Sequence, residues 1–182
     1  MKYIKEELLT NIKAIEVAEF LILSAVVVFL PFVVHQQWLT GPIMNAVLIL
    51  TLFLVGIRAA LVLALIPSLM ALSGGLLPAI LAPVVPFIMI SNVILIICLD
   101  WFNQVFKDKP TGYWLGLITG ASLKFLFLFL SVGFIGKLLL KQELLPKVAQ
   151  MMSWPQLVTA LIGGILAWLI IKSTKIKAEN KF

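Results

Sequence analysis

The chain has little of what soluble chemistry requires. It contains one histidine, His35, and one cysteine, Cys98, among 182 residues. A metal site needs several His, Cys or carboxylate donors converging on one point, and Glu16, Glu19 and Asp100 could meet only at the edge of an apolar region. A lone cysteine excludes an internal disulfide and leaves the redox compartment unmarked. Charged residues make up 12% of the chain, against about a quarter in ordinary globular proteins. The motifs of catalysis are also missing: there is no P-loop, no Gly-x-Ser-x-Gly and no His-Glu-x-x-His. These absences point away from an enzyme and away from any cofactor or metal. Without a phosphate loop the chain cannot hydrolyse ATP alone, so active transport would need a partner or an ion gradient.

What the chain has in excess is apolar surface. Hydrophobic residues reach 62% and the mean hydropathy is +1.14. A domain of this size buries a limited interior, so the surplus needs a second solvent, and lipid is that solvent. In lipid every backbone polar group must be satisfied within its own segment, which makes long apolar runs helices. The expected fold is an all-α integral membrane protein, a compact bundle of about six transmembrane helices forming a single domain over residues 1–182.

The runs fall at about Ala14–Val34, Pro42–Val55, Ala59–Leu72, a fourth ending near Asp100, Tyr113–Ile135, and Trp154 to near Ile171. Between them lie the polar stretch His35–Gly41, the tight turn Gly56-Ile57-Arg58, the break Ser73-Gly74-Gly75 and the polar stretch Trp101–Gly112. Lys137–Ser153 is a longer amphiphilic connection. Pro78, Pro83 and Pro86 predict irregular backbone ahead of the fourth helix. The N-terminal stretch Met1–Lys13 leads into a full-length span with no small-residue cleavage site, which reads as an uncleaved first helix.

In a soluble protein the net charge of +6 would suggest nucleic acid. Here the basic residues sit between or beyond the apolar runs, so topology and anionic headgroups account for them and no nucleic-acid partner is expected. With six passes, one side receives Lys2, Lys5, Lys13, Arg58, Lys107, Lys109, Lys172, Lys175, Lys177 and Lys181, and the other Lys137, Lys141 and Lys147. That asymmetry places both termini in the cytoplasm. His35–Gly41, Ser73–Pro86 and Lys137–Ser153 then face outside.

Lys124 is the most informative residue. It lies near the middle of the fifth helix, where an unpaired charge costs about 3 kcal/mol or more. Gly112, Gly116, Gly120 and Lys124 recur every four residues and form one stripe, and small residues mark a face that another helix approaches closely. Lys124 is therefore expected to face protein. It could pair with Glu19, Asp100 or backbone carbonyls, or it could meet a ligand that carries a carboxylate, a phosphate or a polarised carbonyl. Ala160, Gly163, Gly164 and Ala167 give the sixth helix a matching small face. Asn45 and Asn92, with Ser91 beside the latter, are uncharged polar groups inside helices, suited to interhelical hydrogen bonds or to a ligand. His35, Gln37 and Trp38 offer donors, acceptors and an aromatic face outside, or simply an interfacial loop with its anchor. Trp101, Trp114 and Trp154 are placed as belt residues near helix ends. Ala14 and Ala18, like Ala60 and Ala64, are small pairs four apart that permit close helix approach.

Taken together, the chain resembles the substrate-binding S components of energy-coupling factor (ECF) transporters. The resemblance covers the whole chain. It rests on size, six helices, cytoplasmic termini, Ala14-x-x-x-Ala18 in the first helix, Gly41-Pro42-Ile43-Met44-Asn45-Ala46 opening the second, and the stretch from Leu76-Leu77-Pro78 to Pro86-Phe87. It implies a six-helix bundle in a prokaryotic plasma membrane that binds a vitamin or related micronutrient near its outer face. It also implies that Ala14 and Ala18 contact a transmembrane coupling subunit driven by two cytoplasmic ATPases, and that transport proceeds by toppling of the bundle. Glu16 and Glu19 beside the alanines depart from an apolar docking face. The alternatives are a stand-alone carrier or channel using Lys124 and an acidic partner as a charge relay, and a non-transporting subunit whose polar groups only pack.

Overall fold

Apolar runs of this kind satisfy their backbone internally by coiling, and every described element of the computed structural model is helical. The structure describes the backbone of residues 2–107, 109–138 and 145–179, and the side chains of 14–107, 109–135, 146 and 148–174. The elements are α1 (Lys2–Val33), α2 (Gln37–Leu54), α3 (Ile57–Ala64), α4 (Ile66–Ser73), a 3₁₀ segment (Ala79–Val84), α5 (Val85–Val105), α6 (Pro110–Leu138), α7 (Leu145–Met151) and α8 (Trp154–Glu179). Five stretches are long and apolar enough to cross a membrane: Ala14–Val33, Gln37–Leu54, Ala79–Val105, Pro110–Ile135 and Val148–Thr174. With α3 and α4 as one interrupted sixth pass, the chain is an all-α membrane bundle.

The third pass ends at Ser73-Gly74-Gly75 as expected and is also interrupted earlier, at Leu65. Pro67 has no N–H to return to the carbonyl one turn back, and α3 gives way to α4 at Leu65. Gly75, at φ +77°, ends α4 as expected of a left-handed position open to glycine. The proline-rich stretch forms a 3₁₀ segment running directly into α5. Two stretches expected as loops are largely helical: Gln37–Gly41 belongs to α2 and Trp101–Val105 to α5. Of the basic residues that set the orientation, Lys2, Lys5, Lys13, Lys137, Lys141, Lys147, Lys175, Lys177 and Lys181 lie outside the described side chains.

Contacts between chain turns sort the two ends of the bundle. At one end His35 meets Gly74, Gln37 meets Met151 and Trp38 lies 5.1 Å from Trp154. At the other, Gly112 packs on Phe102 and Phe106, while Tyr113 stacks near Phe53 and Trp168. Trp114, expected as a belt residue, is half-buried in this aromatic cluster, 5.7 Å from Trp168. Trp38, Trp101 and Trp154 are exposed.

The glycine stripe seats α6 on α5. A Cβ on Gly116 would lie 3.0 Å from Leu99 Cα, and one on Gly120 would lie 3.1 Å from Leu95 O. The small face of α8 meets α6, as expected, and also α2. Gly163 faces α2, where a Cβ would come within 2.7 Å of Pro42 O and Asn45 Cβ, and Gly164 lies against Leu117 of α6. Alanine at Gly163 therefore pushes against backbone, and overpacking of this sort costs about 1–3 kcal/mol. Gly163→Ala should lower the melting temperature in detergent by several degrees. Gly133→Ala, with nothing within 4 Å, should leave it unchanged or raise it.

Candidate functional site

A lysine in the middle of an apolar helix has to find acceptors, and Lys124 finds two. It is 2% exposed. Its Nζ donates to Asn45 Oδ1 on α2 at 2.8 Å and to Asn92 Oδ1 on α5 at 2.7 Å. The amides are held in this orientation by their other ends. Asn45 Nδ2 donates to Gly41 O at 2.9 Å and Asn92 Nδ2 to Ala64 O at 3.2 Å. Ala64 closes α3, where terminal carbonyls lack donors within their own helix. The break between α3 and α4 thus supplies the acceptor that turns the Asn92 oxygen toward Lys124.

Of the partners open to Lys124, the carboxylates of Asp100 and Glu19 are not the ones it meets. Asp100 lies eight residues beyond Asn92, about 12 Å along the helix, and accepts a hydrogen bond from Gln104 Nε2 at 2.7 Å. Glu19 is half-exposed on α1. Among the described residues no carboxylate reaches Lys124 to complete a charge relay.

Beside the ammonium lies a cavity of about 120 Å³. Its polar wall is formed by Lys124, Asn45, Asn92, Ser68, Thr40, Gln37 and Gln156, and its apolar wall includes Met44, Leu48, Ala71, Leu77 and Ile88. Lys124 is the only charged residue among the described lining groups. Ser68 is 3% exposed, and its hydroxyl has no hydrogen-bond partner among the described residues. Thr40 donates to Gln36 O at 2.9 Å within its own helix.

A second space of about 320 Å³ lies toward the end of the bundle bearing Trp38 and Trp154, lined by His35, Gln37, Trp38, Gln150 and Trp154 among others. Gln37, Leu76 and Met151 border both spaces. At this shared lip Met151 O accepts from Gln37 Nε2 at 3.4 Å and from Gln156 Nε2 at 3.1 Å. His35 Nε2 bonds Gly74 O at 2.9 Å, tying the α1–α2 connection to the end of α4.

Of the residues singled out from sequence, Lys124, Asn45 and Asn92 form one network and Gln37 stands at its mouth. His35 and Trp38 border the outer space and not the cavity. Ser68, Thr40 and Gln156 line the cavity without having been singled out. Each carried a faint signal: Ser68 follows a proline inside an apolar run, Thr40 closes a polar stretch, and Gln156 opens a helix after Trp154-Pro155. Ala14 and Ala18 are exposed on α1, whereas Ala60 and Ala64 are fully buried and serve internal packing. Beside the exposed pair, Glu16, Val17 and Phe20 of α1 border an open groove with Val55, Arg58, Ala59 and Val62. No group of three His, Cys, Asp or Glu residues placed to hold a metal occurs among the described residues.

No protein-family model, curated protein or solved structure matches the chain.

The network should behave as a unit. Asn92→Leu removes one of two acceptors from a buried ammonium and strands Ala64 O, a loss of about 2–3 kcal/mol. Adding Lys124→Met removes the group that needed the acceptor. The double variant should melt above Asn92→Leu alone, and a strictly additive cycle in detergent unfolding would show the two residues to be independent.

Proposed function

We propose that this protein is the substrate-binding membrane subunit of an ECF-type uptake transporter, taking up a vitamin or related small molecule across a prokaryotic plasma membrane. The observation that carries this reading is the cavity: a buried cation with neutral polar neighbours in the middle of a helical bundle, bordering a wider space at one end. Small-molecule sites combine apolar walls with a few convergent polar groups in this way. In this reading the end bearing His35, Trp38 and Trp154 faces outside and both termini are cytoplasmic.

The partner surface follows from α1. Ala14 and Ala18 are exposed, and two small residues one turn apart let another helix come close. A transmembrane coupling subunit docks there, itself driven by two cytoplasmic ATPases. Glu16 and Arg58, which border the adjoining groove, give that docking face a polar margin.

Two measurements check this reading. The tagged chain, expressed in its native host, should copurify with a transmembrane protein and two ATPases. Ala18→Trp should abolish uptake and copurification while leaving the melting temperature within about 2 °C, since surface substitutions shift stability little. Uptake by liposomes holding this chain alone would sink the reading in favour of an independent carrier. Topology is checked in a Cys98→Ser background: cysteine introduced at His35 should react with an impermeant thiol reagent from outside, and cysteine at Lys107 should not.

A further inference from the structure

The cavity fixes more about its ligand than the presence of polar groups. The two amides that meet Lys124 supply dipoles and no charge, and the other described lining groups are neutral. An ammonium has three N–H donors; two are spent on Asn45 and Asn92, and the group itself borders the empty space. A buried charge without a counter-charge is costly, so a ligand carrying one negative charge completes the site.

The same reasoning excludes other charge types. A dianion would leave one negative charge uncompensated. A zwitterion would bring its own ammonium, for which the described wall offers no carboxylate, and a cationic ligand would face Lys124 directly. Size narrows the class further. A closed apolar cavity of about 150 Å³ accommodates benzene, so the inner space of about 120 Å³, open at the lip of Gln37, Leu76 and Met151, seats roughly one ring with room beyond it. Met44, Leu48 and Ile88 give that body an apolar seat.

Ser68 supplies an independent mark. Its hydroxyl is buried, lines the cavity and has no hydrogen-bond partner among the described residues. The carbonyl one turn back on its own strand of helix, Ala64 O, receives Asn92. An unused hydroxyl can both donate and accept, which suits a second polar atom on the ligand.

We propose that the cavity binds a small organic monocarboxylate, a single-ring or similarly compact acid, with its carboxylate on Lys124 and a second polar atom at Ser68. This rests on the small-molecule-binding reading of the cavity and not on the partner subunits. It is tested by titration calorimetry on the purified chain in detergent at millimolar ligand, using benzoate, its neutral isostere benzamide and the dianion phthalate. Benzoate should bind at least tenfold more tightly than either of the others. 3-Hydroxybenzoate or 4-hydroxybenzoate should bind more tightly than benzoate, and in Ser68→Ala that gain over benzoate should disappear. Lys124→Met, where it folds, should lose the preference for benzoate over benzamide. Equal binding of benzoate and benzamide, tighter binding of phthalate, or no binding of any of these acids would overturn the proposal. Because the chain is tested alone, failure to copurify with partner subunits would remove the transport reading and leave this one standing.

Discussion

A single ammonium in an apolar bundle imposes conditions on everything around it. Lys124 cannot be left in contact with lipid or with hydrocarbon side chains, since the free-energy penalty is a sizeable part of a domain's whole stability. Its helix must therefore turn that face inward, and helices on either side must bring oxygen atoms within about 3 Å. Asn45 and Asn92 do so from α2 and α5, so three helices are pinned at one depth. The amides in turn need acceptors for their own N–H groups, and Gly41 and Ala64 provide them. Polar satisfaction here spreads outward from one charge to the backbone of α2 and to the end of α3.

Close packing makes those distances attainable. In lipid there is little hydrophobic drive between helices, so van der Waals fit carries the association. Gly116 and Gly120 let α6 settle on α5, and Gly163 lets α8 settle on α2 against the carbonyl of Pro42. These contacts sit within one or two turns of the Lys124 network. The glycines thus have a role in positioning the charge as well as in holding the bundle, because a displacement of an ångström would take an amide oxygen out of hydrogen-bond range.

Much of this was legible in the sequence. Run lengths gave the passes, four-residue spacing placed Lys124 on the glycine face, and Asn45 and Asn92 stood out as polar groups within apolar helices. The pairing between them was not legible. Electrostatic preference favours a carboxylate for a buried lysine, but Asp100 lies about two turns too far along α5, and only the relative height of three helices decides the matter. The break at Leu65 was hidden because the apolar run continues through Pro67. Ser68 was hidden for the same reason: one serine in an apolar stretch takes on meaning only when its neighbours leave it without a partner. The stretch from Gln37 to Gly41 shows the converse, since polar residues at the start of a pass need not break the helix: Gln37 and Thr40 turn toward the cavity.

The lip between the two spaces has its own consequence. One carbonyl oxygen, that of Met151, receives both glutamine donors, at 3.4 and 3.1 Å, and the longer of the two lies beyond the usual range. Such a seal gives way at small energetic expense, and both halves lose their acceptor if α7 shifts. On the proposed reading of the cavity as a ligand site, the charge on Lys124 holds the ligand at depth and the rim governs exchange. Under that proposal, exchange and holding belong to different depths of the bundle, and substitution at the rim changes the first without the second.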